Sequence, residues 1–143
     1  HKNDKLIIAG GDDGERKNLE EQIRRLNLQD SVFLIGAVNH FQKCELLTTS
    51  TAFILASHFE SFGIVIAESL ACGTPVIVSN KTSWNEIETN KCGIFTENDI
   101  IGFVKSLSDI KEINFNKEQI KNYVNSTFDW KIITNKFLET IRN

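Results

Sequence analysis

The sequence predicts an α/β fold with a doubly wound, Rossmann-like parallel sheet, and two observations carry this prediction. Short apolar runs rich in β-branched residues recur along the 143-residue chain, at 6–9, 32–36, 52–57, 76–79 and 93–95. The runs are continuous, as expected of strands buried on both faces of a parallel sheet. Helical patterns lie between them, and strand alternating with helix is typical of a doubly wound fold.

The helices are predicted in chain order. Residues 15–27 place Leu19, Ile23 and Leu26 on one stripe at helical spacing. Further helices are predicted at 40–48, 64–72, 83–88, 99–107, 116–126 and 129–143. The last of them has Asp129 as its N-cap and one apolar stripe, made of Trp130, Ile133, Phe137, Leu138 and Ile141. The sequence shows no repeat or long linker, so residues 1–143 are expected to form one domain.

Composition narrows the class of protein. With 16 basic residues against 19 acidic ones and a net charge of −3, there is no electrostatic case for binding nucleic acid. The three cysteines are odd in number and widely spaced, which fits neither a zinc site nor a disulfide framework and favours a cytoplasmic protein. No apolar run approaches the roughly 20 residues that span a bilayer. Peripheral attachment of a parent enzyme to a membrane is left open.

The turn "SHFESFG" (57–63), between a predicted strand and a predicted helix, is the candidate ligand site. In doubly wound sheets, ligands bind outside the carboxyl ends of the strands. Gly63 lets the backbone approach a ligand, and the free N–H groups of Phe62, Gly63 and Ile64 suit a phosphate. The alternative is that Gly63 only shapes a tight turn, and the residues alone leave both interpretations open.

Two glutamates accompany this turn. Glu68 lies in a helix that is apolar on nearly every side and therefore expected to be buried, where a bare carboxylate costs several kcal/mol. Its side chain leans toward the helix N-terminus and could accept two hydroxyl groups from a ribose next to a diphosphate. Alternatively, it caps a neighbouring backbone turn. Glu60, at the mouth of the turn, either contacts a second polar part of the ligand or is a solvated loop glutamate.

Other candidate sites are weaker. The turn "AGGDDGE" (9–15) is glycine-rich but is not GxGxxG, and no acidic residue ends the strand 32–36, so a nicotinamide-dependent oxidoreductase is disfavoured. Asp12 and Asp13 have no further ligand cluster that would hold a metal, and they are expected to cap the first helix. His58 has no partnered Ser or Cys arrangement, which argues against a catalytic triad.

The stretch "SHFESFGIVIAESLACGTPVIVSN" (57–80) resembles the signature of the GT-B glycosyltransferases of family 4, which are retaining enzymes that use nucleotide sugars. Its core is a pair of glutamates flanking seven residues, Glu60 and Glu68, with Phe-Gly at 62–63 and Gly-Thr-Pro-Val at 73–76. The similarity extends over nearly the whole chain. It implies the C-terminal, donor-binding half of a GT-B enzyme, lacking that half's first strand and helix.

The resemblance also implies the contacts to a nucleoside diphosphate sugar. Glu68 would bind the ribose hydroxyls. Glu60, the candidate catalytic residue, would contact hydroxyls of the donor sugar, assisted by the backbone of Ser61, Phe62 and Gly63. Main-chain groups would make the remaining contacts: Gly63 and Ile64 to the diphosphate, Ala37 and Val38 to the base, and Gly10 and Gly11 beside the phosphate pocket. No metal and no cofactor besides the donor substrate is implied.

The family's acceptor domain, and the basic pair that neutralises the leaving diphosphate, lie upstream of the segment matched here. The chain is therefore expected to be a fragment of a longer two-domain enzyme of polysaccharide biosynthesis, inactive alone. Its acceptor would be a glycan, a lipid-linked molecule or another molecule. A non-catalytic nucleotide-sugar binding or regulatory module is the alternative.

The family's strand order, 3-2-1-4-5-6, has a consequence for the sheet. It places the absent first strand between residues 6–9 and 52–56, so these two segments are not expected to pair directly. An incomplete sheet leaves unpaired N–H and C=O groups, and a strand from outside these residues, such as a second copy of the chain, is expected to fill the position. The alternatives are that residues 6–9 and 52–56 pair directly, or that the incomplete domain is only marginally stable.

Overall fold

The computed structural model describes residues 4–129, 131–135 and 138, and its elements alternate between strand and helix. In chain order they are β1 (Leu6–Ala9), α1 (Arg16–Arg25), β2 (Val32–Gly36), α2 (His40–Thr49), β3 (Phe53–Leu55), α3 (Ile64–Ala71), β4 (Val76–Ser79), β5 (Gly93–Thr96), α4 (Ile100–Glu112) and α5 (Lys117–Phe128). Residues 131–135 are also helical. The chain divides into two compact units, His1–Lys43 and Cys44–Asn143.

In the first unit, β1 and β2 form a parallel pair with one shift in register before Ala9. The expectation that both strands are buried on both faces is wrong. Side chains of β2 alternate between half-buried and exposed positions, with Phe33 and Ile35 exposed, which is the pattern of a strand covered on one face only. In β1, Leu6 and Ile7 are also exposed. A continuous apolar run shows only that the residues of a strand are apolar. Burial of both faces also requires other elements that pack against each face.

In the second unit, β3, β4 and β5 form a parallel sheet with β4 in the centre. The prediction of two-sided burial is confirmed for β4, whose four residues are all buried. α3 and α5 pack together beside this sheet. The core residues are apolar and come from α3, β4, the segment before β5 and α5: Ile66, Leu70, Val76, Val78, Trp84, Ile87, Cys92, Ile120 and Val124.

The predicted helix at 83–88 is wrong. Residues 85–91 form successive turns, and Lys91 has a left-handed backbone with φ +54° that no helix continues through. The chain then enters β5 within two residues, as the amide of Cys92 donates to the carbonyl of Ile87 at 2.7 Å. These turns bring the segment after β4 back to the sheet without a helix.

Some element ends differ from the predictions, and one predicted helix cap is confirmed. α4 continues to Glu112, five residues beyond its predicted end, and β3 is shorter than predicted. Asp129 is confirmed as a cap, since its Oδ1 accepts a hydrogen bond from the amide of Lys131 at 2.8 Å. Three residues of the predicted last stripe, Trp130, Phe137 and Ile141, lie outside the described residues. Among the helices described, none has both the length and the apolar character needed to cross a bilayer.

The strand pairing bears on the expected gap between β1 and β3. Within the described residues, β1 belongs to a two-stranded sheet with β2, and β3 belongs to the three-stranded sheet with β4 and β5. The expectation that 6–9 and 52–56 do not pair directly agrees with this arrangement. That a strand from outside these residues, or a second copy of the chain, completes the sheet stays a prediction.

Candidate functional site

The turn 57–63 leaves the carboxyl end of β3 and enters α3. Because β3, β4 and β5 run parallel and side by side, their carboxyl ends lie at one edge of the sheet. The segments that follow β4 and β5, residues 80–84 and 97–99, therefore leave the sheet at the same edge as the turn. Side chains at the ends of β4 and β5 can therefore contact the backbone of the turn 57–63.

Three such side chains hold carbonyl groups of the turn. Ser79 Oγ donates to the carbonyl of Ser57 at 2.6 Å, and Asn98 Nδ2 donates to the same oxygen at 3.3 Å. Trp84 donates through its indole N–H to the carbonyl of Phe62. The turn is thus tied at both of its ends, by the last residue of β4 and by residues that follow β4 and β5.

These bonds fix the direction of the amides as well. In a trans peptide the N–H points away from the preceding carbonyl, and the described residues contain no cis peptide. Since the carbonyl of Phe62 points toward Trp84, the amide of Gly63 points the opposite way. The amides of Ile64 and Val65, in the first turn of α3, have no intrahelical acceptor. The N-terminus of α3 therefore has several backbone donors without an acceptor in the helix, an arrangement that can bind an anion; Ile64 is exposed there and Gly63 is buried.

Gly63 has a structural requirement of its own. Its backbone is left-handed, with φ +74° and ψ +62°, directly before α3. A Cβ at this position would lie 2.8 Å from Ile66 Cδ1 and 3.0 Å from Glu60 Cγ. The turn thus needs glycine for its shape, and this requirement does not exclude a ligand on the donor side of the same backbone.

The two glutamates differ in their surroundings. Glu60 is half-buried, with its stem packed against Gly63, and none of the residues that the structure describes hydrogen-bonds with its carboxylate. Glu68 is also half-buried. The expectation that its helix is buried on all sides is wrong: Ile66 and Leu70 are fully buried, but Ile64 is 69% exposed. α3 covers the core with one face, and Glu68 does not lie in an apolar interior.

The residues predicted to bind in the first unit lie at the ends of β1 and β2. The amide of Gly10 donates to the carbonyl of Gly36 at 2.9 Å, so the two strands end side by side. Ala37 is exposed and Val38 is half-buried. A Cβ added at Gly10 or Gly11 would meet nothing within 4 Å. The structure therefore leaves open space above this backbone, and the chain itself does not require glycine there.

Asp12 closes the turn that follows Gly11. Its Oδ1 accepts from the amide of Gly14 at 2.8 Å and from the amide of Arg16, the first residue of α1, at 3.3 Å. Asp12 thus accepts the first amide of α1 from outside the helix, whereas the N-cap position is Glu15, whose side chain makes no capping bond. The capping role of Asp13 stays a prediction.

An aromatic cluster supports the turn from behind. Phe62, Trp84 and Phe128 lie with ring centroids 5.1–5.4 Å apart, and Tyr123 packs edge-on against Phe128. They border an open hollow of about 260 Å³. The residue pattern alone predicts no role for Trp84; the available signal is that a buried indole N–H needs an acceptor.

Two cysteines of the second unit, Cys72 and Cys92, are poor nucleophiles. Burial is the main cause of a raised pKa at the Cys72 thiol; a hydrogen bond with Thr48 opposes the rise, and nearby Cys44 and Glu68 add to it. Burial also raises the pKa of Cys92 to about 11. Thiols held neutral in this way are unreactive and pack as small apolar groups.

Comparison with known proteins identifies the family. The profile of the family "Glycosyl transferases group 1" matches residues 1–127, so the chain belongs to that family. The glycogen synthase of Mycobacterium tuberculosis is 28% identical over 140 residues, which are 93% of this chain and 33% of that protein. The chain thus spans about a third of the length of this relative.

Solved structures show the fold. Sucrose-phosphate synthase of Thermosynechococcus elongatus superposes with a TM-score of 0.77 at 24% identity, covering 96% of this chain and 38% of that one. HepE of Anabaena, in a complex with UDP, has a TM-score of 0.77 at 24% identity, covering 97% of this chain and 41% of that one. The chain therefore has the α/β fold of the GT-B glycosyltransferases, as predicted.

Proposed function

We propose that this chain binds a nucleoside diphosphate sugar and is the donor-binding, C-terminal part of a retaining glycosyltransferase of family 4. The observation that carries the proposal is the turn 57–63, whose carbonyl groups are held by neighbouring segments so that its amides face away from them. HepE, which shares the fold, has been solved with UDP and with UDP-glucose.

The diphosphate is proposed to lie at the N-terminus of α3. There the amides of Gly63 and Ile64 donate to its oxygens, and the helix dipole favours its negative charge. Such donors are placed before the ligand arrives, so they also stabilise the charge that develops on a diphosphate leaving group. This is the contribution to glycosyl transfer that the described residues can make.

Glu60 and Glu68 are proposed to bind the two hydroxyl-bearing parts of the donor. Glu60 offers a half-buried carboxylate beside Gly63, where an acceptor for sugar hydroxyls is needed. The backbone of Ser61 and Phe62 would assist it. Glu68 lies one helical turn beyond Ile64, and helical side chains lean toward the N-terminus, so its carboxylate suits the ribose hydroxyls. The two roles are separable by experiment.

In the first unit, the open backbone at Gly10 and Gly11 is proposed to flank a phosphate, and Ala37 and Val38 to contact a base through main-chain groups. Glycosyl transfer itself, its acceptor and its stereochemistry are proposed for the whole protein, because the chain spans only 33% of the glycogen synthase named above. A non-catalytic nucleotide-sugar binding module would share the donor site and would transfer nothing.

The test is a titration of the ¹⁵N-labelled chain with UDP, GDP, ADP and NAD, followed by amide chemical shifts. We expect at least one nucleoside diphosphate to bind and to shift the amides of Gly63 and Ile64 most strongly, while NAD does not bind. As a control, Glu118, an exposed glutamate on α5 paired with Lys121, is replaced by Gln and should leave binding unchanged. Binding of NAD alone, or shifts confined to other segments, would contradict the proposal.

A further inference from the structure

A histidine in the turn is held by an asparagine from another strand end. Asn98 follows β5, and its Nδ2 lies 3.0 Å from Nδ1 of His58 and 3.3 Å from the carbonyl oxygen of Ser57. His58 itself is exposed. A single amide nitrogen thus bridges the histidine ring and the backbone of the turn.

The two contacts together determine where the proton of the neutral ring lies. A carbonyl oxygen can only accept, so the Asn98 atom facing Ser57 must be the NH₂ group, and the amide orientation is fixed. The second hydrogen of the same NH₂ group then points to His58 Nδ1, which must accept. The neutral His58 ring therefore carries its proton on Nε2.

We propose that His58 donates a hydrogen bond from Nε2 to a hydroxyl of the donor sugar, and that Asn98 is the positioning residue that holds the ring in the tautomer required. The proposal rests on the function proposed above. His58 and Glu60 lie two residues apart in one turn and offer a donor and an acceptor. A sugar hydroxyl both donates and accepts, so such a pair can satisfy it completely.

The first arm of the test measures the tautomer and needs no ligand. Long-range ¹H–¹⁵N spectra of the labelled chain, at a pH where titration of the same signals shows a neutral ring, distinguish the two forms. We expect His58 to be in the Nε2–H form, and Asn98→Leu to give a mixture of both. Asn98→Asp, whose carboxylate can only accept, should move the ring toward the Nδ1–H form.

Ser79→Ala is the matched control for this arm. Ser79 donates to the same carbonyl of Ser57, and this hydrogen bond does not involve the ring of His58. Its replacement should leave the tautomer unchanged. An Nδ1–H form in the unaltered chain, or an unchanged tautomer in Asn98→Leu, would overturn the positioning role.

The second arm measures affinity for UDP and UDP-glucose by calorimetry, with GDP and GDP-mannose and ADP and ADP-glucose as further pairs. We expect His58→Ala to weaken binding of the sugar-bearing nucleotide about tenfold, the effect of one hydrogen bond, with the free nucleotide unchanged within about twofold. Asn98 also holds the carbonyl of Ser57, so Asn98→Leu is judged by the difference between the two ligands: it should weaken the sugar-bearing nucleotide about tenfold more than the free one. Equal losses for both ligands would show a purely structural role and overturn the sugar contact. If no pair binds, the proposed function and the sugar contact both fail, while the tautomer arm still decides whether Asn98 positions His58.

Discussion

Two turns in this chain occupy equivalent places in the strand-to-helix alternation and differ in how their backbones are held. Residues 9–15 follow β1 and residues 57–63 follow β3, and both contain glycine. Around Gly10 and Gly11 the space is open, and the turn is closed by its own Asp12. The second turn is held by Ser79, Trp84 and Asn98, which come from the ends of two other strands.

The comparison shows what a three-stranded unit adds to a strand end. The carboxyl ends of β4 and β5 lie at the same edge of the sheet as the turn, so side chains there donate to the carbonyl groups of the turn. Its amides therefore take a defined direction before any ligand binds. Donors fixed in this way need no reorganisation when charge arrives, which is why preorganised amides bind anions well. A glycine-rich turn alone lets a ligand approach the backbone closely but does not fix the direction of the amides.

The largest expected effect is at Gly63. Gly63→Ala places a Cβ at φ +74°, 2.8 Å from Ile66 Cδ1, and should lower the free energy of unfolding by about 2–3 kcal/mol. Gly10→Ala is the control and should change it by less than about 0.5 kcal/mol, since nothing lies near its Cβ. Urea denaturation of both variants measures the difference. Equal losses would mean that the two turns are held alike.

A smaller effect is expected at Trp84. Trp84→Phe removes the N–H donated to Phe62 but retains an aromatic ring, and should cost about 1–2 kcal/mol of stability. It should also weaken nucleotide binding, because the Gly63 amide loses its fixed direction. Phe128→Leu alters the same aromatic cluster without removing that hydrogen bond, so it should reduce stability and leave nucleotide affinity nearly unchanged. Equal losses of affinity would show that general packing, and not the indole bond, holds the turn.

The smallest expected effect is a difference in stability between alanine variants of two nearby serines. Ser79 Oγ lies 2.6 Å from the carbonyl of Ser57, whereas Ser83 Oγ lies 3.5 Å from the carbonyl of Ser61. Ser79→Ala should cost about 1 kcal/mol, and Ser83→Ala less than about 0.5 kcal/mol, because the longer contact is a weak hydrogen bond. Thermal unfolding of the two variants compares them, and a larger loss at Ser83 would contradict the assignment.

Local sequence patterns predicted the elements well wherever local residues decide the outcome. β1, β2 and β4 have their predicted bounds because each is a short, largely apolar run that contains β-branched residues. The helix at 83–88 was wrong since those residues are shaped by contacts to the turn and to β5. The burial of β1 was wrong because periodicity says nothing about which neighbours cover a strand.

The candidate site was predictable in part for the same reason. The turn 57–63 and its two glutamates were found from strand-to-helix alternation and from the family resemblance. The side chains that hold the turn were not found, because their contacts span large separations in sequence, 22 residues for Trp84 and 41 for Asn98. Such pairs become visible only when the sheet order is known.

The central claim is that this turn and the helix after it bind a nucleoside diphosphate sugar with divided roles for two glutamates. Calorimetry with UDP and UDP-glucose on Glu60→Ala and Glu68→Ala tests it most directly. We predict that Glu68→Ala weakens UDP binding roughly tenfold to a hundredfold, the effect of losing hydrogen bonds to a charged group, whereas Glu60→Ala leaves UDP affinity nearly unchanged and weakens UDP-glucose. Equal losses of UDP affinity in both variants would contradict the account.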